Sequence, residues 1–248
     1  MDGIAGKVAL VTGASAGLGA QFARVLARAG ARVAIAARRV DRLDALAAEL
    51  GGETLPVAID VSSVASIRAG AALVAEKLGP INILVNNAGI SLTARIEAVT
   101  EAEYDGVMDT NLKGAFFMAQ AAAQQMIAAK IEGRIVNIAS ITGQRTVGQL
   151  SVYGMSKAAM IQMTHSMARE WGRHGINTNA ICPGYIATEM AEAFLPTEAG
   201  QRFVASMPRK RFGEAADLDA LLLLLCSGAP SRFINGSIVN ADDGFTSF

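Results

Sequence analysis

Lys7-Val-Ala-Leu-Val-Thr12-Gly13-Ala-Ser-Ala-Gly17-Leu-Gly19 runs from an apolar stretch into a cluster of glycines. Ala20 to Ala29 follows, with Phe22, Val25 and Leu26 on one helical face. The apolar run reads as a buried parallel strand, the glycines as a turn and the remainder as a helix, the start of a βαβ unit. Glycine has a physical task in such a turn. Without a Cβ the backbone can bend tightly and come close to a diphosphate at the helix N-terminus. The spacing is G-x-x-x-G-x-G rather than G-x-G-x-x-G, so by itself the turn could also be no more than a tight connection.

Working outward, Ala31-Arg-Val-Ala-Ile-Ala-Ala37 is the second strand. An acid at its end would hold the ribose 2′-OH of NAD. The chain reads Ala37-Arg38-Arg39 there, with no acid. Arginine suits a 2′-phosphate by charge and by its planar fork, although two arginines at a helix start could simply be solvated. Asp41 is a candidate cap for a helix over Arg42 to Leu50. Leu55 to Val61 reads as a third strand, then a helix from about Ser63 to Leu78, and Ile81 to Gly89 as a fourth strand entering the small-residue turn Asn86-Asn87-Ala88-Gly89. Those asparagines could tie loops together or touch a ligand. One helix is expected from about Glu101 to Ala129, with Asn111, a poor helix former, in its middle. Gly133 to Ser140 is the next strand, Asn177 to Cys182 another, closed by Pro183-Gly184. Ala187 to Arg211 looks like a lid of short helical pieces broken by Pro196, Gly200 and Pro208. Leu218 to Cys226 is a final helix and Ser237 to Ala241 a final strand.

Strands and helices alternate throughout. The expected fold is therefore α/β, a single domain with a doubly wound parallel sheet and helices on both faces. In such sheets ligands bind beyond the carboxyl ends of the strands, where the glycine turn, Asp60, Asn87, Ser140 and Pro183-Gly184 all fall.

Ser151-Val-Tyr153-Gly-Met-Ser-Lys157 carries the chemistry. Positions i and i+4 share a helix face about 6 Å apart along the axis, so a phenol and an ammonium stand side by side. The cation should favour the phenolate and bring a weak acid toward useful proton transfer. Such pairs also occur on solvated helices, and the pair gains weight from Ser140 upstream.

Composition sets further bounds. The 248 residues are just over half hydrophobic, and 22 basic residues balance 22 acidic ones. That charge balance argues against nucleic acid and against an anionic membrane surface as partners. The N-terminal residues lack the apolar core of a signal peptide, and Leu221 to Leu225 is too short to span a bilayer. Cys182 and Cys226 have no metal-ligand spacing and suit free thiols in a reducing cytoplasm. His165 and His174 read as surface or structural residues, and no metal is required.

Thr12-Gly13-x-x-x-Gly17-x-Gly19, Asn86-Asn87-Ala88-Gly89, Asn111, Ser140, Tyr153-x-x-x-Lys157 and Pro183-Gly184, in that order over nearly the whole chain, resemble the short-chain dehydrogenase/reductase family. The overall layout is similar to that of 3-oxoacyl-[acyl carrier protein] reductases. The resemblance implies a Rossmann fold, a nicotinamide cofactor, and a homotetramer or homodimer built by the helices that contain Asn111 and Tyr153. It implies a catalytic tetrad. Tyr153 would be the general acid or base, and Lys157 would hold the nicotinamide ribose and favour the tyrosinate. Ser140 would bond the substrate oxygen, and Asn111 would hold a water through its distorted helix, linking Lys157 to solvent. Gly13, Ser15, Gly17, Leu18 and Gly19 would cradle the diphosphate. Asp60 and Val61 would touch adenine, and Asn87, Ala88 and Gly89 would run along the adenosine and ribose. Pro183, Gly184, Ile186 and Thr188 would meet the nicotinamide. Arg38 and Arg39 point to NADP(H) in preference to NAD(H), which stays possible because Ala16 stands where such enzymes often carry a basic residue. A second departure is Asp242-Asp243-Gly244-Phe245, where Asp-Gly-Gly is common.

The expected activity is interconversion of a ketone and a secondary alcohol. Candidate substrate contacts are Ser140, Thr142, Gln149, Tyr153 and Tyr185, with Ser91, Ile141 and Leu150 beside them. Two alternatives remain: a reductase whose substrate arrives on an acyl carrier protein, and a non-catalytic dinucleotide-binding regulator.

Overall fold

The computed structural model describes residues 3–187 and 196–247, apart from the side chain of Ala199. Among them, seven parallel strands form one sheet in the order β3-β2-β1-β4-β5-β6-β7. The strands are β1 (Val8–Thr12), β2 (Arg32–Ala37), β3 (Thr54–Ala58), β4 (Ile83–Asn86), β5 (Gly133–Ile138), β6 (Ile176–Pro183) and β7 (Ile238–Ala241). The helices are α1 (Gly17–Arg28), α2 (Val40–Leu50), α3 (Val64–Leu78), α4 (Glu101–Met108), α5 (Ala115–Ala129), α6 (Ser151–Trp171), α7 (Glu198–Ser206) and α8 (Asp219–Cys226). One face of the sheet packs on α3, α5 and α6 through residues such as Leu84, Met118 and Met160. The other packs on α1, α2 and α8 through Phe22, Leu26, Leu43 and Leu222. Each large side chain removed from water in this way contributes about 1.5–3 kcal/mol. The doubly wound arrangement follows because central strands buried on both faces need apolar cover from both.

Several local expectations are corrected. β3 stops at Ala58, and Asp60 ends the extension by accepting from the Ser62 backbone N–H at 3.0 Å and its hydroxyl at 2.7 Å. Pro56 is tolerated because β3 is an edge strand, bonded only to β2. Asp41 does not cap α2: Arg39 occupies the N-cap without a side-chain capping bond, and Asp41 lies in the first turn, where its charge suits the helix dipole. Gly200 does not break the segment it was expected to break. It lies inside α7, and its N–H donates to the capping Thr197 hydroxyl at 3.0 Å. At Asn111 the helix is distorted, as the resemblance implied. Between α4 and α5 the chain widens into a π-helical turn over Asp109–Gly114, a feature that redirects side chains at functional sites.

Candidate active site

The glycine turn after β1 is built for close approach. Gly13 and Gly17 have φ of 67° and 53°, and a Cβ on Gly13 would come within 2.8 Å of the Ala88 Cα. A Cβ on Gly19 would collide with the Gly13 carbonyl. Neither a capping side chain nor an acid occupies the first turn of α1, so its N–H groups are free of side-chain partners. That is the donor set a diphosphate requires, and the turn fits a dinucleotide. Ser15 and Leu18 lie on this turn. Asn87 acts as a tie within it: its amide donates to the Thr12 carbonyl at 3.0 Å, while the Thr12 hydroxyl accepts the Asn87 and Ala88 N–H groups at 3.0 and 3.1 Å.

The two arginines divide their positions. The Arg39 guanidinium donates to the Ser15 hydroxyl at 2.8 and 3.2 Å and so faces the glycine turn. Arg38, exposed at the end of β2, lies toward Asp60, whose carboxyl is held below its usual range by Ser62 first and by Arg38 in smaller part. Asp60 and Val61 follow β3 beside them. No acid stands at Ala37.

Beyond β5 and β6 lies the second corner. The Ser140 Oγ accepts from the Thr142 N–H at 3.1 Å and from the Thr142 hydroxyl at 2.9 Å. With both lone pairs used, its own proton is left to donate outward. Tyr153 lies within hydrogen-bond reach of it. Lys157, 4% exposed, donates to the Ile138 carbonyl at 2.8 Å and places Nζ 5.6 Å from the Tyr153 ring centre. Burial pushes the Lys157 ammonium down to about 8. Burial also pushes the Tyr153 phenol above its ordinary value, against a lowering by Ser140. The expectation that a neighbouring cation would dominate is therefore corrected: desolvation outweighs it.

Asn111 is fully buried, and its amide is committed to the protein. Oδ1 accepts the Ile90 N–H at 2.8 Å, and Nδ2 donates to the Ile90 carbonyl at 2.9 Å and the Ser156 hydroxyl at 3.0 Å. Ser156 in turn donates to the Tyr153 carbonyl at 2.7 Å. The residue thus binds the loop after β4 to α6 between Tyr153 and Lys157. Only the second lone pair of Oδ1 is left for a water. Gly89 fits against this pair, since a Cβ there would lie 3.3 Å from Asn111 Oδ1 and 3.6 Å from Lys157 Nζ.

Of the expected substrate contacts, Thr142 is at the centre. Gln149 has a left-handed backbone (φ 65°) and an exposed side chain, and its carbonyl accepts the Ala94 N–H at 2.9 Å. Tyr185 follows Pro183-Gly184 and is ringed by Phe203, Phe212 and Phe245 at centroid distances of 4.7–5.7 Å. Ile186 pairs with Gly213. Thr188, with the lid residues 188–195, lies outside the described residues. Sequence reasoning missed Cys182 and Gln144. The Cys182 thiol lies under Ser140, accepting its N–H and the Gln144 amide (3.6 Å), and burial pushes it up to about 11, so it is neutral. Its place directly before Pro183-Gly184 was the only signal. Among the described residues no cluster of three His, Cys, Asp or Glu could hold a metal, and no helix is long and apolar enough to cross a membrane.

Comparison with known proteins identifies the family. The model of the short chain dehydrogenase family matches residues 7–199. Gluconate 5-dehydrogenase of Gluconobacter oxydans is 36% identical over 247 residues, covering 98% of this chain and 96% of that protein. Galactitol 2-dehydrogenase of Agrobacterium fabrum is 40% identical over 248 residues, covering 96% of each. The solved structure of a gluconate 5-dehydrogenase from Burkholderia cenocepacia, in complex with NADP and tartrate, superposes with a TM-score of 0.93 at 34% identity, over 98% of this chain and 96% of that one. The chain belongs to the short-chain dehydrogenase family. It is an NAD(P)-dependent oxidoreductase of CH–OH and C=O groups with a single-domain Rossmann fold.

Proposed function

We propose that this protein is an NADP(H)-preferring oxidoreductase that interconverts a secondary alcohol and a ketone on a small polyhydroxylated substrate. The observation that carries it is the convergence of Ser140, Tyr153 and Lys157 in one buried corner beside the glycine turn. Named relatives act on gluconate and galactitol, which supports the substrate class. When bound, the nicotinamide accepts or returns the hydride. The protein handles the proton: Tyr153 takes it from the alcohol or gives it to the developing alkoxide, and the outward Ser140 proton stabilises that oxygen. At neutral pH the buried Lys157 ammonium, with its value about 8, is still largely charged and offsets ionisation of Tyr153. Asn111 fixes the spacing of the two by gripping Ser156.

Gly13, Ser15, Gly17, Leu18 and Gly19 hold the diphosphate in this reading. Arg38 and Arg39 hold the 2′-phosphate, and Ile186 meets the nicotinamide, a role the resemblance also gives to Thr188. The exposed face of α5 and α6 forms a groove of about 830 Å³ lined by Leu112, Phe116, Ile127, Met163, Met167 and Trp171, which supports a homotetramer or homodimer through these helices. The two buried free thiols suit a cytoplasmic location. A panel of polyols, sugar acids and acetoacetyl thioesters, each run with NADP(H) and NAD(H), tests the proposal. Turnover confined to the thioesters would replace the substrate class, and none with any would leave a dinucleotide-binding regulator.

A further inference from the structure

After β7 the chain turns through Asp242-Asp243-Gly244, and Asp243 has φ of 55°. In this left-handed region a Cβ is penalised and glycine is the default residue. Aspartate is one of the few other residues that enters this region, and here its carboxylate is engaged as well. Oδ1 accepts from Arg209 at 3.1 Å and Oδ2 from the Nε of Arg211 at 3.0 Å. The other arm of Arg211 reaches Asp217 at 3.2 Å. Asp217 itself accepts the Glu214 N–H at 2.9 Å, so the arginine is anchored from two sides. The Asp243 side chain is 26% exposed, less than either arginine.

This ion cluster does not end at the surface. Directly after Arg211, the chain pairs with the segment that follows Pro183-Gly184. The Gly213 N–H donates to the Tyr185 carbonyl at 2.9 Å, and the Ala187 N–H donates to the Gly213 carbonyl at 2.8 Å. The Phe212 ring lies 5.7 Å from that of Tyr185, and Phe245, two residues beyond Asp243, approaches it to 5.2 Å from another side. Asp243 thus joins the strap after β7 to the strand-like pair 211–213 and 185–187. We propose that Asp243 is a positioning residue whose carboxylate clasps Arg209 and Arg211 and thereby fixes the Tyr185–Ala187 wall beside the catalytic corner. The inference rests on the reading that Tyr185 and Ile186 flank substrate and nicotinamide.

The test compares Asp243→Gly, Asp243→Asn and Arg211→Gln with the wild type. Glycine relieves the left-handed backbone, so loss of the clasp is read without loss of the fold. Exchange of the Gly213 and Ala187 amide protons should quicken in Asp243→Gly. The kcat/KM of the same variant should fall roughly three- to tenfold, mainly through KM, as loss of a few partly exposed ion pairs implies. Raising the salt should lower wild-type kcat/KM toward that of Asp243→Gly, which should respond less. Asp243→Asn, which keeps an acceptor oxygen, should fall between the two, and its effect should not add to that of Arg211→Gln. Unchanged exchange at both amides overturns the clasp, whichever residues perform the chemistry. Faster exchange with unchanged kcat/KM and KM overturns its bearing on the site.

Discussion

Lys157 and Arg38 are both cations at the carboxyl edge of one sheet, yet Lys157 is 4% exposed and Arg38 stands in water. Around Lys157 the dominant force is desolvation. It brings the ammonium down to about 8 and pushes the Tyr153 phenol up, so both groups favour their neutral forms more than they would in water. Around Arg38 and Arg39 the charge is fixed and screened, and it acts by attracting an anion. The buried corner can move a proton because its charges are costly there. The exposed corner can only select among ligands.

The largest expected effect tests the buried corner. Tyr153→Phe should lower kcat by roughly 10²–10⁴-fold while cofactor affinity, read by fluorescence titration, holds, since general acid–base groups contribute on that scale. A kcat near that of the wild type would remove Tyr153 from the proton transfer.

Lys157→Met should lose turnover and weaken cofactor binding together. It should also be more stable than the wild type at pH 7, because an apolar side chain of similar length avoids the desolvation cost. The sign follows from linkage. The folded value of about 8 lies below the ordinary 10.5, so between these pH values the unfolded chain holds more protons and this residue's contribution to stability rises with pH. The advantage of Lys157→Met should therefore shrink from about pH 8 to 10.5 and be full below, as thermal unfolding across that range would reveal. A gap that does not change with pH would contradict the burial argument.

Asn111→Ala should destabilise by about 1–3 kcal/mol in all, through its lost bonds to the partly exposed Ile90 N–H and carbonyl and to the buried Ser156 hydroxyl. Denaturant titration measures this. If stability falls less than turnover, the residue acts chiefly in the proton path.

The smallest effect belongs to the exposed corner. The wild type should prefer NADP(H) by about tenfold, the lower end for a charge-assisted bond at a solvated site. Ala37→Asp with Arg38→Ala should reverse the preference, and Arg39→Ala should reduce it less, because Arg39 also leans on Ser15. The ratio of kcat/KM for the two cofactors at fixed ionic strength is the measurement. An unchanged ratio in Arg38→Ala would make Arg38 a solvated helix-start residue.

The sequence alone determined the alternation of strands and helices, the glycine turn, and the place of Tyr153 and Lys157 on one helix face. These are local matters, set by side-chain period, by the φ that only glycine adopts freely, and by the four-residue spacing of a helix face. At Asn111 propensity marked a misfit and the resemblance implied a distorted helix, but neither says that the backbone answers with a π-helical turn. The tertiary structure alone decided the rest. Arg39 rather than Arg38 turned to Ser15, Cys182 came to lie under Ser140, and Asp243 met two arginines more than thirty residues away. The direction of the Tyr153 shift was decided there too. Burial sums the shielding of residues scattered along the whole chain, so a pair four residues apart cannot reveal whether its neighbouring charge or its loss of water prevails.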